Sequence, residues 1–350
     1  MATQPTRAGA VTLLDFAKSL DPDGKTSTVV ELLTQTNTLL ADMPWIEGNL
    51  PTGHRTTVRT GLPTVVWRQM YGGVPPSKST RAQVDDACGM LEARSEVDTD
   101  LLALNGNGSA FRLSEASAFL EAMNQAMITA MLYNDTAINP ERPFGLAPRY
   151  SSLSAANGRN ILDAGGTSTG GGADNTSIWL VCWGSDTVHG IFPKGTKAGI
   201  EHKDLGEIDA FDGSNNRYRA MADIWKWKCG LSLRDWRYAV RIANVDVSDL
   251  VGLTGTQAIT ASTWIVRQMM LAMNQIPFMG KGTPVFYVNR KVKAYLQVMA
   301  LEKSSGVLGI QQAAGQFGRP GIASVEGDMT FFGIPVRTVD GLLENESRVQ

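Results

Sequence analysis

The side chains in this chain best suited to chemistry are few and scattered. Gly24-Lys25-Thr26 has the ending of a phosphate-binding loop, in which backbone amides and a lysine cradle phosphates. That loop needs a second glycine five residues earlier, where this chain has Ser19, and a buried strand leading in, where the pattern here is helical. Gly165-Gly166 and Gly170 to Gly172 lack the dinucleotide-binding order and read as a flexible loop. His54, His189 and His202 lie far apart in sequence. Neither the spacing that presents two imidazoles to zinc nor the turn that exposes a serine nucleophile occurs. Glu201-His202-Lys203-Asp204 offers an acid beside a base but reads as a solvated turn. Asp85 and Asp86 are adjacent, so they point different ways in either a helix or a strand and cannot share a proton. Cys88, Cys182 and Cys229 make no metal spacing and no disulfide framework, which fits a reducing cytoplasm. No catalytic, cofactor-binding or metal-ligating residue is assigned, and the chain is expected not to be an enzyme.

The bulk properties agree. A chain of 350 residues has room for two or three domains. Only 19% of its residues are charged, so copies could bury surface against one another without desolvating many ions. A net charge of −2 excludes a protein that grips nucleic acid through phosphate contacts. Residues 1–20 lack the apolar core of a signal peptide, and no run has the length of a membrane span.

Charge does change sign once along the chain. Residues 46–81 carry Arg55, Arg59, Arg68, Lys78 and Arg81 against the single acid Glu47. Residues 82–100 carry Asp85, Asp86, Glu92, Glu96, Asp98 and Asp100 against Arg94. Two readings are open: a salt-bridged face within one chain, or a basic extended loop laid over an acidic part of an adjacent copy, where complementary charge sets register.

These residues need elements to hold them. A short amphipathic helix is predicted over 10–20, and a second from the Thr28 cap to Pro44, with Val29, Leu32, Leu33, Thr36, Leu39, Leu40 and Met43 at helical spacing. Residues 46–81 are punctuated by glycine and proline. Between these breaks Thr56–Arg59 and Thr64–Met70 are rich in β-formers and predict a two-stranded ribbon that needs something to lie on. Asn105-Gly106-Asn107-Gly108 reads as a turn, and Ser114 as the cap of a long helix over 115–133. Residues 163–175 read as a glycine loop, and Thr176–Trp183 with Thr187–Phe192 as a hairpin around Gly184-Ser185-Asp186. Tyr218–Trp227 and Leu231–Val245 read as further strands separated at Cys229-Gly230, completing a large antiparallel sheet. A helix is predicted over 257–276. A strand then ends at the helix cap Asn289, a helix follows over Lys291–Leu301, and a last strand is kinked by Gly333-Ile334-Pro335.

The closing order of strand, Asn-capped helix, long loop and Gly333-Ile334-Pro335-Val336 resembles the end of the axial domain of tailed-bacteriophage major capsid proteins, the Hong Kong 97-type shell fold. The preceding arm, basic ribbon, long spine helix and Gly145-Leu146 loop fall in that family's order. The resemblance implies an α+β, HK97-like fold. It implies an N-terminal arm (1–45), an extended loop (46–84), a peripheral domain with its spine helix (85–150, helix 114–133), a sheet-rich elaborated body (151–256), an axial domain (257–341) and a C-terminal return to the peripheral domain (342–350). It also implies a virion protein assembled in the host cytoplasm. Its main partner would be itself, as hexamers and pentamers of an icosahedral shell enclosing double-stranded DNA without sequence-specific binding. A portal protein, scaffolding and decoration proteins would be further partners, and no cofactor or membrane would be involved. Intersubunit contacts would fall on Arg55, Arg59, Trp67, Arg68, Lys78, Arg81, Asp85, Asp86, Glu92 and Glu96, and Gly61 and Gly72-Gly73 would act as hinges of the ribbon. Some shells of this type are stitched by a Lys–Asn cross-link. Here Lys78 sits at the loop's base and Asn289 is a helix cap, so no cross-link is expected. The alternatives are an encapsulin-type compartment, a tail or decoration protein, and a soluble sheet-rich enzyme.

Overall fold

The computed structural model describes residues 34–103, 108–166, 174–212, 214–247, 250, 256–302, 308–310 and 329–350, with backbone alone at 256–264, 299–302 and 308–310. The helix expected over 10–20, the Thr28 cap and the turns after it to residue 33, Gly24-Lys25-Thr26, Asn105-Gly106-Asn107 and most of the glycine loop lie outside these residues. The chain forms two compact units. Of the described residues, one comprises those within 34–36, 90–129 and 199–228; the other comprises those within 37–89, 130–198 and 229–350.

In the larger unit the central strand is Asn175–Trp183, and every residue in it is buried. Its run of apolar residues lacks alternation because neither face meets water. One edge pairs antiparallel with Ala239–Asp246 and the other with Thr283–Val288. Those two neighbours explain why the expected hairpin fails. Both edges are occupied, so the chain pairs only at Trp183 and Val188 before diverging. Strand Val188–Phe192 then lies antiparallel to residues 230–233 and parallel to Trp45–Glu47. Strand Thr283–Val288 also pairs parallel with Ile334–Thr338. The sheet is thus mixed, not purely antiparallel as expected; the helix Arg290–Glu302 lies within the connection that makes a parallel return possible.

Asn289 caps that helix as expected: its Oδ1 accepts from the Lys291 amide at 2.9 Å, and its Nδ2 donates to the Leu342 carbonyl. The last strand is not kinked at Pro335. Instead Met329–Phe331 and Ile334–Thr338 form a hairpin whose two turn residues, Phe332 and Gly333, have φ of 48° and 80°. Positive φ at both positions matches the twist of the flanking strands. The final residues are tied in. Glu346, buried, accepts from Arg241 at 2.7 Å and from Tyr133 at 2.5 Å, and the Val349 amide donates to Asn244.

In the smaller unit, strand Ile200–Phe211 pairs antiparallel with the first part of Arg217–Leu233, which is one continuous strand through Cys229-Gly230. Glu201-His202-Lys203-Asp204 therefore lies in a strand rather than a turn. Its alternation sends His202 onto Trp225, with ring centroids 5.3 Å apart, while Phe119 stacks on the same indole at 5.1 Å. Arg112 forks onto Asp223 at 2.8 Å and reaches Asp204 at 3.0 Å. The long helix spans Gly108–Tyr133, about 39 Å at its rise per residue. It starts before Ser114 because Phe111 is buried with Val97 and Leu101, so packing extends it where capping propensity would stop it.

Candidate functional site

The expected ribbon exists, but its strands are not those expected. Gly53–Gly61 pairs antiparallel with Thr80–Ala87. Thr64–Met70 forms no strand, although its residues are β-formers, because among the described residues no strand lies beside it to pair with its backbone. The two strands are instead joined by an extended loop over 62–79. Within the loop the Ser77 hydroxyl donates to the Thr64 carbonyl at 2.8 Å, and the Gly72 amide donates to Gln69 at 3.0 Å. Tyr71 takes a positive φ of 63° just before the glycine pair.

The loop carries its apolar side chains outward. Trp67 and Tyr71 are fully exposed, Met70 is 91% and Val65 87% exposed, and Leu62, Val66 and Val74 are exposed as well. A folded chain seldom leaves that many large apolar groups together in water unless another surface covers them.

The basic residues divide into two groups. Arg55 faces Asp85 across the ribbon, and its guanidinium grips both carboxylate oxygens at 2.6 Å. That hydrogen-bonded pairing holds Asp85 below the ordinary carboxylate range and Arg55 above its own. Here the reading of a salt-bridged face within one chain holds. Arg59 faces Arg81, both exposed, so like charges oppose each other across the outer ribbon. Arg68 and Lys78 are also exposed. Of the acids, Glu92 pairs with Lys226 at 2.9 Å and Glu96 with Arg94 at 2.8 Å, both within the smaller unit.

Asp86 departs from the expectation. It points away from Asp85, as alternation requires, but into the protein, where it is buried. Arg149 donates to it at 2.8 Å, the Ser232 hydroxyl at 2.9 Å and the Leu233 amide at 3.3 Å. Arg149 also donates to the carbonyls of Phe144 and Leu231. Such a buried carboxylate has no capacity left for an adjacent copy. It anchors the root of the ribbon. Asn49 completes this root by accepting from the Arg55 amide at 2.7 Å and donating to the Arg55 carbonyl at 2.8 Å. Reading the chain residue by residue missed Asn49, Arg149 and Ser232. Only alternation at Asp85-Asp86 signalled that one carboxylate would turn inward.

Among the described residues, no group of three or more His, Cys, Asp or Glu is arranged to hold a metal ion, and no helix is long and apolar enough to cross a membrane. Cys88 lies just beyond the root, and burial pushes its thiol up to about 12.

A model of the family described as major capsid protein GP7 matches residues 21–350. The chain belongs to the major capsid protein GP7 family. This capsid protein is similar, at 30% identity and with a TM-score of 0.72, to a chain in a cryo-electron-microscopy structure of bacteriophage Epsilon15, with 97% of each chain covered. Further from it stand a chain of the bacteriophage JBD30 capsid and an encapsulin. The JBD30 chain is 12% identical, with 91% of this chain and 96% of that one covered and a TM-score of 0.48. The encapsulin, from Synechococcus elongatus, is 12% identical over 68% of this chain and 96% of that one, with a TM-score of 0.44. No curated protein matches it. Its fold is the α+β, HK97-like shell fold, and it is a structural protein of the phage virion shell, not an enzyme. Copies of it build an icosahedral shell.

Proposed function

We propose that this capsid protein forms the hexamers and pentamers of a shell around double-stranded DNA, and that each subunit grips its neighbour with the ribbon loop over 62–79. One observation carries the reading: the loop's large apolar side chains stand in solvent in the single chain. Covering each of them contributes roughly 1.5–3 kcal/mol, which an isolated subunit forgoes. Arg59, Arg68, Lys78 and Arg81 surround that apolar surface and steer it onto an acidic neighbour, with Glu92 and Glu96 as the acids met there. Arg55 and Asp85 brace the ribbon and take a smaller share of the contact, and Asp86 takes none. Each interface is of ordinary size, near ~1,600 Å², and the lattice is strong because every subunit makes several at once.

In this reading residues 1–45 act as an arm over adjacent subunits and 46–84 as the extended loop. Residues 85–150, with the spine helix, form the peripheral domain, 151–256 the elaborated body, 257–341 the axial domain, and 342–350 the C-terminal return to the peripheral domain. Assembly takes place in the host cytoplasm, with a portal protein at one vertex and scaffolding or decoration proteins as further partners. The DNA is enclosed without sequence-specific contacts, in keeping with a net charge of −2.

The test is Trp67→Ala in the full chain, followed by sedimentation velocity and negative-stain imaging for assembly and thermal unfolding for the subunit. Loss of closed particles at an unchanged melting temperature is expected. Normal particle yield, or an equal loss of stability and assembly, would refute the role given to the loop.

A further inference from the structure

The root of the ribbon holds a pair of histidines that the contacts above leave unused. His54 lies opposite Asp86 within the ribbon, and His189 lies opposite Ser232 within the body's sheet. Since Asp86 accepts from Ser232, the two cross-strand pairs meet face to face. The imidazoles touch edge to face with centroids 5.8 Å apart. His189 is 1% exposed, and neither of its ring nitrogens makes a full hydrogen bond, although the Gly184 backbone lies close enough to favour its charged form slightly. Nδ1 of His54 is likewise buried and unpartnered. Buried polar nitrogens left without partners are uncommon and costly, so this arrangement is kept at the expense of stability.

We propose that the joint formed by His54 and Asp86 on the ribbon with His189 and Ser232 on the body is an acid-operated release, which loosens the ribbon's root when the imidazoles take up protons. The reason is local. A proton on either ring creates a cation in a closed space that already faces Arg234. Arg234 approaches from the end of the long strand, held by the Ser185 carbonyl and Asp186 at 3.0 and 3.1 Å. Arg149, from the Leu146–Arg149 helix, reaches the joint only through Asp86. Asp86 favours the charged form of both rings, but it is shared among Arg149, Ser232 and the Leu233 amide, and its pull is smaller than the effects that oppose it. Cys88, beyond the ribbon's end, stays neutral because burial pushes its thiol up to about 12. Arg55 and Asp85 lie on the ribbon's other face, paired to each other. Separating the ribbon from the body would give both rings water and room for charge.

The direction follows from burial, with Arg234 and, for His189, the neighbouring His54 adding to it. Both imidazoles are pulled below their ordinary value, His189 to about 4. A closed state that protonates less readily than the open one is favoured above about pH 6.5 and loses that advantage as the pH falls toward 4. For His189 alone the opening equilibrium shifts on the order of 100-fold between pH 7 and pH 4.

The experiment is hydrogen exchange on the full-length subunit between pH 7 and pH 4, with each pH corrected for its intrinsic rate. Peptides covering 53–61 and 80–87 report the ribbon, and 283–288 serves as the reference strand. We expect ribbon protection to fall as the pH drops while the reference strand keeps its own. In the double variant His54→Gln/His189→Gln the ribbon's dependence on pH should disappear. Constant ribbon protection in the wild type, or the same loss in the double variant, would overturn the proposal. Should His189→Gln fail to fold, His54→Gln alone decides, since His54 is only partly buried: a profile identical to wild type counts against the joint, and a flattened one supports it. The readout is internal to one chain, so it stands or falls separately from assembly.

Discussion

Two stretches of this protein are built from nearly the same kinds of residue and meet opposite fates. Thr64–Met70 and Thr176–Trp183 are both short runs of β-branched and aromatic side chains around a tryptophan. The second is the central strand of the larger unit, buried along its whole length with a neighbour on each edge. The first pairs with no strand among the described residues and holds Trp67 fully in solvent. Composition sets how much a segment gains from burial, but whether the covering surface belongs to the same chain is a matter of what lies beside it. In a shell protein the missing surface can come from another copy.

That contrast can be broken at either end. Leu180→Ala, at a side chain with no exposure, removes buried volume from the central strand and should cost ~2–5 kcal/mol in chemical denaturation of the subunit. A cost below 1 kcal/mol would show that this strand is not the core. Trp67→Ala should leave subunit stability within about 0.5 kcal/mol and act on assembly alone.

The hairpin tip at Phe332 gives a smaller effect with the opposite sign. A bulky residue at a φ of 48° is strained, and Phe332→Asn should raise unfolding free energy by about 1 kcal/mol. A lower melting temperature would mean that the contact of Phe332 with Phe331, at 5.0 Å between centroids, outweighs the strain. Least is expected from Asp85→Asn. Its ion pair with Arg55 lies in solvent, so the melting temperature should stay where it is, and a clear drop would assign the ribbon's rigidity to that pair.

Much of the architecture was legible without coordinates, for reasons visible in particular residues. The Asn289 cap, the strand before it and the helix after it depend on signals within a few positions of one another. The long helix was legible from its apolar stripe, but its start was not, because Phe111 extends it by packing on Val97 and Leu101. The ribbon was legible as a ribbon, yet its outer strand was misassigned to Thr64–Met70 instead of Thr80–Ala87. Propensity favoured the former, while pairing geometry chose the latter. The hairpin expected around Gly184 failed because two strands distant in sequence had already taken both edges of Asn175–Trp183.

By itself the amino-acid sequence determined the local pieces, the family order in which they come and the absence of a catalytic constellation. Each of these rests on residues near one another or on residue types that are simply missing. Tertiary structure alone decided that Asp86 turns inward to Arg149 and Ser232, that His54 meets His189, and that Arg55 is satisfied within its own chain while Arg59 opposes Arg81. The reason is that a charge or an imidazole takes its behaviour from whatever desolvates and faces it, and those neighbours arrive from elements separated from it by some twenty to a hundred and fifty residues of chain.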